Sequence, residues 1–136
     1  MALTNTETQI QWSASDTQSV TSGSNNTSDA YTFNATAISA SVSMKADNAG
    51  TPASGDTITF YALYTNGDTD NTGGSDEYDT TEQGHVLAVV DTNADDPAQK
   101  TAQLDVTRKG MKIYAVSGAA SNSITVSCRV TEKRSS

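Results

Sequence analysis

Along residues 37–45 the chain alternates without a break. Ile38, Ala40, Val42 and Met44 share one side, while Ala37, Ser39, Ser41, Ser43 and Lys45 share the other. A period of two is the signature of a strand with one buried and one wet face. Shorter stretches repeat it: residues 7–14 around Ile10 and Trp12, a segment centred on Val20, the pair Tyr31 and Phe33, residues 101–107 (Ala102, Leu104, Val106) and residues 123–131 (Ile124, Val126, Cys128, Val130). Three segments are apolar on both sides. In residues 57–65, Ile58, Phe60, Ala62 and Tyr64 stand against Tyr61 and Leu63; residues 85–91 and 111–116 behave alike. Two-sided strands are expected at a sheet centre, or where an outer face meets something else.

Turn chemistry separates these runs. Ser22-Gly23-Ser24-Asn25-Asn26 is a turn cluster, and residues 47–56 form a long turn rich in Gly, Asn, Asp and Pro. About eight to nine short antiparallel strands at regular spacing predict an all-β chain with little or no helix, folded as one β-sandwich over residues 1–136. Immunoglobulin-like and jelly-roll topologies both fit. Short extended arms are expected at the N- and C-termini.

Composition supports strands over helices. Ser (17) and Thr (21) dominate, and Asp outnumbers Glu by 12 to 4; Thr suits strands, whereas Ser, Asp and Asn suit turns. Leu, Ile, Val and Phe total 20 of 136 residues, so the core is thin. No apolar run approaches the ~20 residues of a membrane-spanning helix. The start, Met1-Ala2-Leu3-Thr4-Asn5-Thr6, lacks the basic and apolar stretches of a signal peptide, so cytoplasmic synthesis without export is expected. One cysteine, Cys128, excludes an internal disulfide framework.

Charge changes the picture of partners. The net charge is −8 and the pI about 4.3, which argues against direct nucleic-acid binding, since phosphate neutralisation drives that affinity. The charge is also uneven. Residues 1–107 carry two basic and fifteen acidic groups, a net of −13, and residues 108–136 carry six basic and one acidic, a net of +5. A basic C-terminal segment on an acidic molecule can steer docking to an acidic surface; equally, it can pair with the chain's own acidic loops.

Candidate chemistry is sparse. A hydrolytic triad needs a base, and the one histidine, His85, opens a strand with no Gly-x-Ser-x-Gly turn to serve. Cys128 alternates with apolar residues, as a buried inert thiol does. Asp68-Thr69-Asp70-Asn71-Thr72-Gly73, with Asp79 further on, echoes a calcium loop but departs at two ligand positions and lacks flanking helices. A solvated acidic connection, residues 65–83, is the expected reading. With one Trp in the chain, aromatic platforms for sugar stacking are few. No enzyme activity and no cofactor or metal are expected.

Lys45-Ala46-Asp47-Asn48-Ala49-Gly50-Thr51-Pro52-Ala53-Ser54-Gly55-Asp56-Thr57-Ile58-Thr59-Phe60-Tyr61 resembles a segment of small structural proteins of tailed bacteriophages, notably those of marine bacteria. Asp76-Glu77-Tyr78-Asp79-Thr80, Asp95-Asp96-Pro97-Ala98 and Ser123-Ile124-Thr125-Val126-Ser127 fit the same likeness, which spans roughly residues 7–131. Such proteins are similar to capsid decoration, or cement, proteins. The resemblance implies a β-sandwich bound to the outside of the head, partnered by the major capsid protein and by copies of itself, often as a trimer. It also implies a place on the virion exterior after cytoplasmic synthesis, with no nucleic acid or membrane as direct partner.

No motif of that family assigns contact residues. The expected docking set is therefore the N-terminal arm, Leu3, Ile10 and Trp12, together with the basic group Arg108, Lys109 and Lys112. Extended termini could add strands to adjacent subunits. The competing expectations are a tail-tube, terminator or fibre component, and a glycan-binding β-sandwich adhesin.

Overall fold

The computed structural model describes residues 2–67 and 77–135. Ten strands run through them: β1 (Leu3–Gln9), β2 (Gln18–Val20), β3 (Asn25–Thr27), β4 (Tyr31–Thr32), β5 (Ala37–Asn48), β6 (Thr57–Thr65), β7 (His85–Asp91), β8 (Ala98–Leu104), β9 (Gly110–Ser117) and β10 (Ile124–Ser135). They form two antiparallel sheets. One has the order β1-β10-β5-β8, with β2 also on β10; the other has β3-β9-β6-β7, with β4 also on β9.

The pairings are nested. β6 pairs with β7, β5 with β8, β3 and β4 with β9, and β1 and β2 with β10. Successive pairs alternate between the sheets, as in one long hairpin rolled into two layers. This is the jelly-roll arrangement, and it resolves the topology that alternation alone leaves open.

The core lies between the layers. From the first sheet come Ala40, Val42, Met44, Val126, Cys128 and Val130; from the second, Ile58, Phe60, Ala62, Met111, Ile113 and Ala115. Each large aliphatic or aromatic side chain buried here is worth about 1.5–3 kcal/mol. Burial of the Cys128 thiol raises its pKa well above the ordinary value.

Three expectations need correction. Residues 7–14 are not one strand: β1 ends at Gln9, and Ser13 and Ala14 take positive φ in a tight turn closed by the Trp12–Ser15 bridge. Part of the predicted turn at residues 22–26 is strand, because Asn25–Thr27 pairs with β9. Ile38 does not join Ala40, Val42 and Met44. The β10 register passes from Ser39 to Ala37, leaving Ile38 as the extra residue of a bulge, exposed.

The termini are held by each other. β1 pairs with the C-terminal half of β10, from Leu3 opposite Ser135 to Gln9 opposite Arg129. The short extended arms expected at the two termini form a seven-residue ladder with each other within the chain.

Candidate docking surfaces

A second bulge shapes the outer face of the β3-β9-β6-β7 sheet. Phe60 pairs with Ala88 and Tyr61 with Val86, so Leu87 is the extra residue. Without it, Val86 would share the inward side of Ala88. The bulge turns Val86 outward instead, beside Tyr61.

Residues directly opposite in an antiparallel pair share a face. One outer row therefore runs Val86–Tyr61–Tyr114–Thr27, and the next runs Val89–Thr59–Val116–Asn25. The rings of Tyr61 and Tyr114 lie 5.9 Å apart. Val86 is 61% exposed and Val89 45% exposed. In an isolated sandwich this is an apolar surface turned to water, the kind that marks an interaction site.

Basic groups border it. Lys112 pairs with Leu63 across β9 and β6, and its Nζ lies 4.6 Å over the Tyr78 ring. Arg108, in the turn before β9, sits 5.6 Å over the Tyr64 ring with its Nε 3.5 Å from an Asp105 carboxylate oxygen. Asp105 is held below the usual carboxylate range by hydrogen bonds from the Thr107 hydroxyl and backbone N–H, helped by Arg108. Burial raises the Tyr64 hydroxyl pKa, while the hydroxyl accepts the Asp105 N–H at 3.0 Å. The Lys109 N–H donates to the Thr65 carbonyl, and its own carbonyl accepts the Phe33 N–H.

The expected docking residues therefore divide. Arg108, Lys109 and Lys112 cluster at one end of the sandwich. Leu3 is exposed at that same end, because β1 starts beside the β10 segment that contacts Asn34, whose neighbour Phe33 binds Lys109. Ile10 and Trp12 do not belong to a surface: both sit in the core, Trp12 only 1% exposed. Residue type marked them as arm anchors, but Ile10 continues the inward column of β1, its N–H donating to the Cys128 carbonyl, and the turn at Ser13 and Ala14 closes directly after the buried Trp12. His85 is exposed, edge-on to Tyr64 at 5.4 Å. Asp68 to Gly73 of the calcium-like segment lie outside the described residues.

The opposite face differs in character. The outer side of the β1-β10-β5-β8 sheet carries a polar depression of about 410 Å³, with Ser43 and Ser127 on the central strands and Glu7, Gln9, Lys45 and Arg129 around them. Arg129 and Glu7 pair at 3.6 Å. Short hydroxyl side chains in the middle and long ones at the rim make the hollow.

One buried group escaped the periodicity altogether. Glu132 occupies an inward position of β10, fully buried. Its Oε2 accepts the Tyr31 hydroxyl at 2.5 Å and the Asn34 N–H at 3.2 Å, and its Oε1 accepts the Arg134 Nε–H at 2.7 Å. Burial opposes its charge, yet these donors outweigh burial and hold the carboxyl below its ordinary pKa. Burial, together with the same contact, pushes the Tyr31 hydroxyl up. The signal available in sequence was a lone acid at an in-phase position of the most basic segment.

No family model matches this chain, and no curated protein matches it in sequence. Several solved structures are similar in outline. The capsid structure of the Helicobacter pylori bacteriophage KHP30 aligns with TM-score 0.43 and 13% identity, over 98% of this chain and 95% of that one. The C-terminal CBM6 of LamC from Zobellia galactanivorans aligns with TM-score 0.45 and 13% identity, over 93% and 99%. The CBM22-1-GH10 modules of a Clostridium thermocellum xylanase align with TM-score 0.49 and 11% identity, over 91% of this chain but only 25% of that one. None of these likenesses is strong enough to assign a role.

Proposed function

We propose that this chain is a non-enzymatic structural protein of a phage virion, a capsid decoration protein that binds the outside of the major capsid protein lattice and stabilises the head. One observation carries the reading: the Val86–Tyr61–Tyr114 and Val89–Thr59–Val116 rows form an apolar outer face bordered by Lys112 on a chain of net charge −8. An apolar centre excludes water, and bordering cations favour an acidic partner and fix its orientation. Each bound copy bridges neighbouring capsomers, so separating them also requires breaking its contacts. Binding only the folded state also supports a protein with a thin core, by mass action. Self-association on the lattice accompanies this role.

The test is co-sedimentation with emptied phage heads, followed by imaging of the pellet. Lattice-wide density that is lost with the double variant Val86→Asp/Val89→Asp is expected. Density confined to the tail, or none on any part of the particle, overturns the proposal.

A second reading, a glycan-binding adhesin, is favoured by the hydroxyl- and amide-lined depression around Ser43 and Ser127. Glycan-array binding abolished by Ser43→Trp, with no binding to heads, would support it in place of the first.

A further inference from the structure

Each sandwich sheet has two edges, and exposed edges invite pairing with another chain. Three of the four edges here carry a recognised deterrent. β7 is bulged at Leu87. The β3 and β4 edge is broken into pieces of three and two residues. β8 carries Lys100 opposite Met44, an inward-column charge on an edge strand, and remains exposed there.

β1 has none of these. It is seven residues long, straight in register, without Pro or bulge, and its core-side positions are Thr4, Thr6 and Thr8. Its backbone phase can be read from the ladder. The Ile10 N–H donates to the Cys128 carbonyl, continuing the β1–β10 register by one residue. Hydrogen-bonded pairs in an antiparallel ladder fall on every second residue, so Thr4, Thr6 and Thr8 face β10. The N–H and C=O of Leu3, Asn5 and Glu7 then point away. Outside the β10 ladder these three make no backbone hydrogen bond to a described residue.

We propose that the outward edge of β1 pairs antiparallel with β1 of a second copy of this chain, joining two sheets across a two-fold axis. Charge selects both the partner and the register. Glu7 is the only charged residue of β1. Pairing Glu7 with Glu7 of the second copy would oppose like charges, which is destabilising. The register that sets Asn5 opposite Glu7 of the second copy avoids this and keeps the outward-pointing groups in phase. It also builds one outer-face row from Lys133, through Asn5, to that Glu7, because Asn5 pairs with Lys133 within its own chain. Each carboxylate then lies between Arg129 of its own chain, 3.6 Å away, and Lys133 of the other copy. The symmetric pairing adds about four N–H···O bonds from the Asn5 and Glu7 positions. This inference does not depend on the capsid reading.

Sedimentation velocity on the full chain, up to about 1 mM, where weak association shows, tests it. The informative variant is Asn5→Pro. Its N–H points outward, so proline removes no bond to β10, and edge strands tolerate proline with that orientation. The expected result is a reversible dimer whose dissociation constant rises about tenfold or more in Asn5→Pro. Glu7→Lys, which sets cations against Lys133 of the other copy, should weaken it as well, while Val89→Asp on the opposite sheet leaves it unchanged. Circular dichroism confirms that each variant folds. A monomer throughout, a trimer, a dimer unaffected by both β1 variants, or a dimer abolished by Val89→Asp overturns the proposal.

Discussion

The Tyr31 hydroxyl on β4 donates to the Glu132 carboxylate on β10 at 2.5 Å, a hydrogen bond that crosses from one sheet to the other. Glu132 is 0% exposed, so its charge is stable there only because Tyr31, Asn34 and Arg134 all donate to it. Tyr31→Phe removes one donor and leaves the rest, and should cost about 1–3 kcal/mol. Glu132→Gln should cost a similar amount. The double variant should lose less than the sum, since both singles break the same contact. Urea midpoints with an unchanged slope provide the measurement.

Acid should expose the same pair. The folded-state pKa of Glu132 is depressed: burial raises it, but the Tyr31, Arg134 and Asn34 hydrogen bonds and the Arg134 charge more than offset burial. The unfolded chain takes up its proton near pH ~4.3, while the folded protein still holds a carboxylate. The unfolded state thus binds more protons as pH falls. The contribution is complete above that pH and is lost as pH drops through the folded value. Glu132→Gln should flatten the stability curve below about pH 4.3 relative to the native chain. Asp105, also depressed but exposed, leaves a residual slope in both proteins.

A second polar knot closes the other end of the sandwich. The Asn48 side-chain amide donates to Asp56 Oδ2 and Thr92 Oγ1, both at 3.0 Å, and its Oδ1 accepts the Gly50 N–H. The Thr92 hydroxyl in turn donates to the Asp56 carbonyl at 2.8 Å. Asn48→Ala would leave the buried Asp56 side chain short of a donor, and should cost about 2–3 kcal/mol by chemical denaturation. Thr92→Val, which removes one hydroxyl from the same knot, should cost less.

Period-two alternation made the sandwich legible, and residues such as Val42, Met44, Val126 and Val130 fall where it puts them. Two of its misses trace to single-residue insertions. The bulges at Ile38 and Leu87 each reverse the side facing the core, and no strand-by-strand pattern contains that information, because a bulge is defined against its partner. The same limit explains the candidate site. Apolar residues on both sides of residues 57–65, 85–91 and 111–116 signalled an outer apolar face, but only the register shows Val86, Tyr61 and Tyr114 in one row. Trp12 and Ile10 went astray for another reason: Ile10 continues the inward column of β1 opposite Cys128, and two positive-φ residues without glycine, Ser13 and Ala14, make the turn that follows Trp12.

That burial has a direct optical consequence. Trp12 is the only tryptophan, and its indole Nε1 has no hydrogen-bond partner among the described residues. Native emission should be blue-shifted and resistant to acrylamide quenching, then move to the red in one step with unfolding. Binding to phage heads should leave it unchanged, because Trp12 is in the core. A native emission maximum typical of water-exposed indole would contradict the turn at Ser13 and Ala14.

The basic cluster lends itself to separating docking from stability. Arg108 pairs with Asp105 on the surface and Lys112 rests on Tyr78, contacts that contribute at most about 1 kcal/mol each in water. Arg108→Ala/Lys109→Ala/Lys112→Ala should therefore melt close to the native chain. It also makes the net charge three units more negative, from −8 to −11, which disfavours approach to an acidic surface. Occupancy on emptied heads should fall, and the dependence of binding on salt should become shallower. Full occupancy at moderate ionic strength would assign docking to the Val86 and Val89 rows alone.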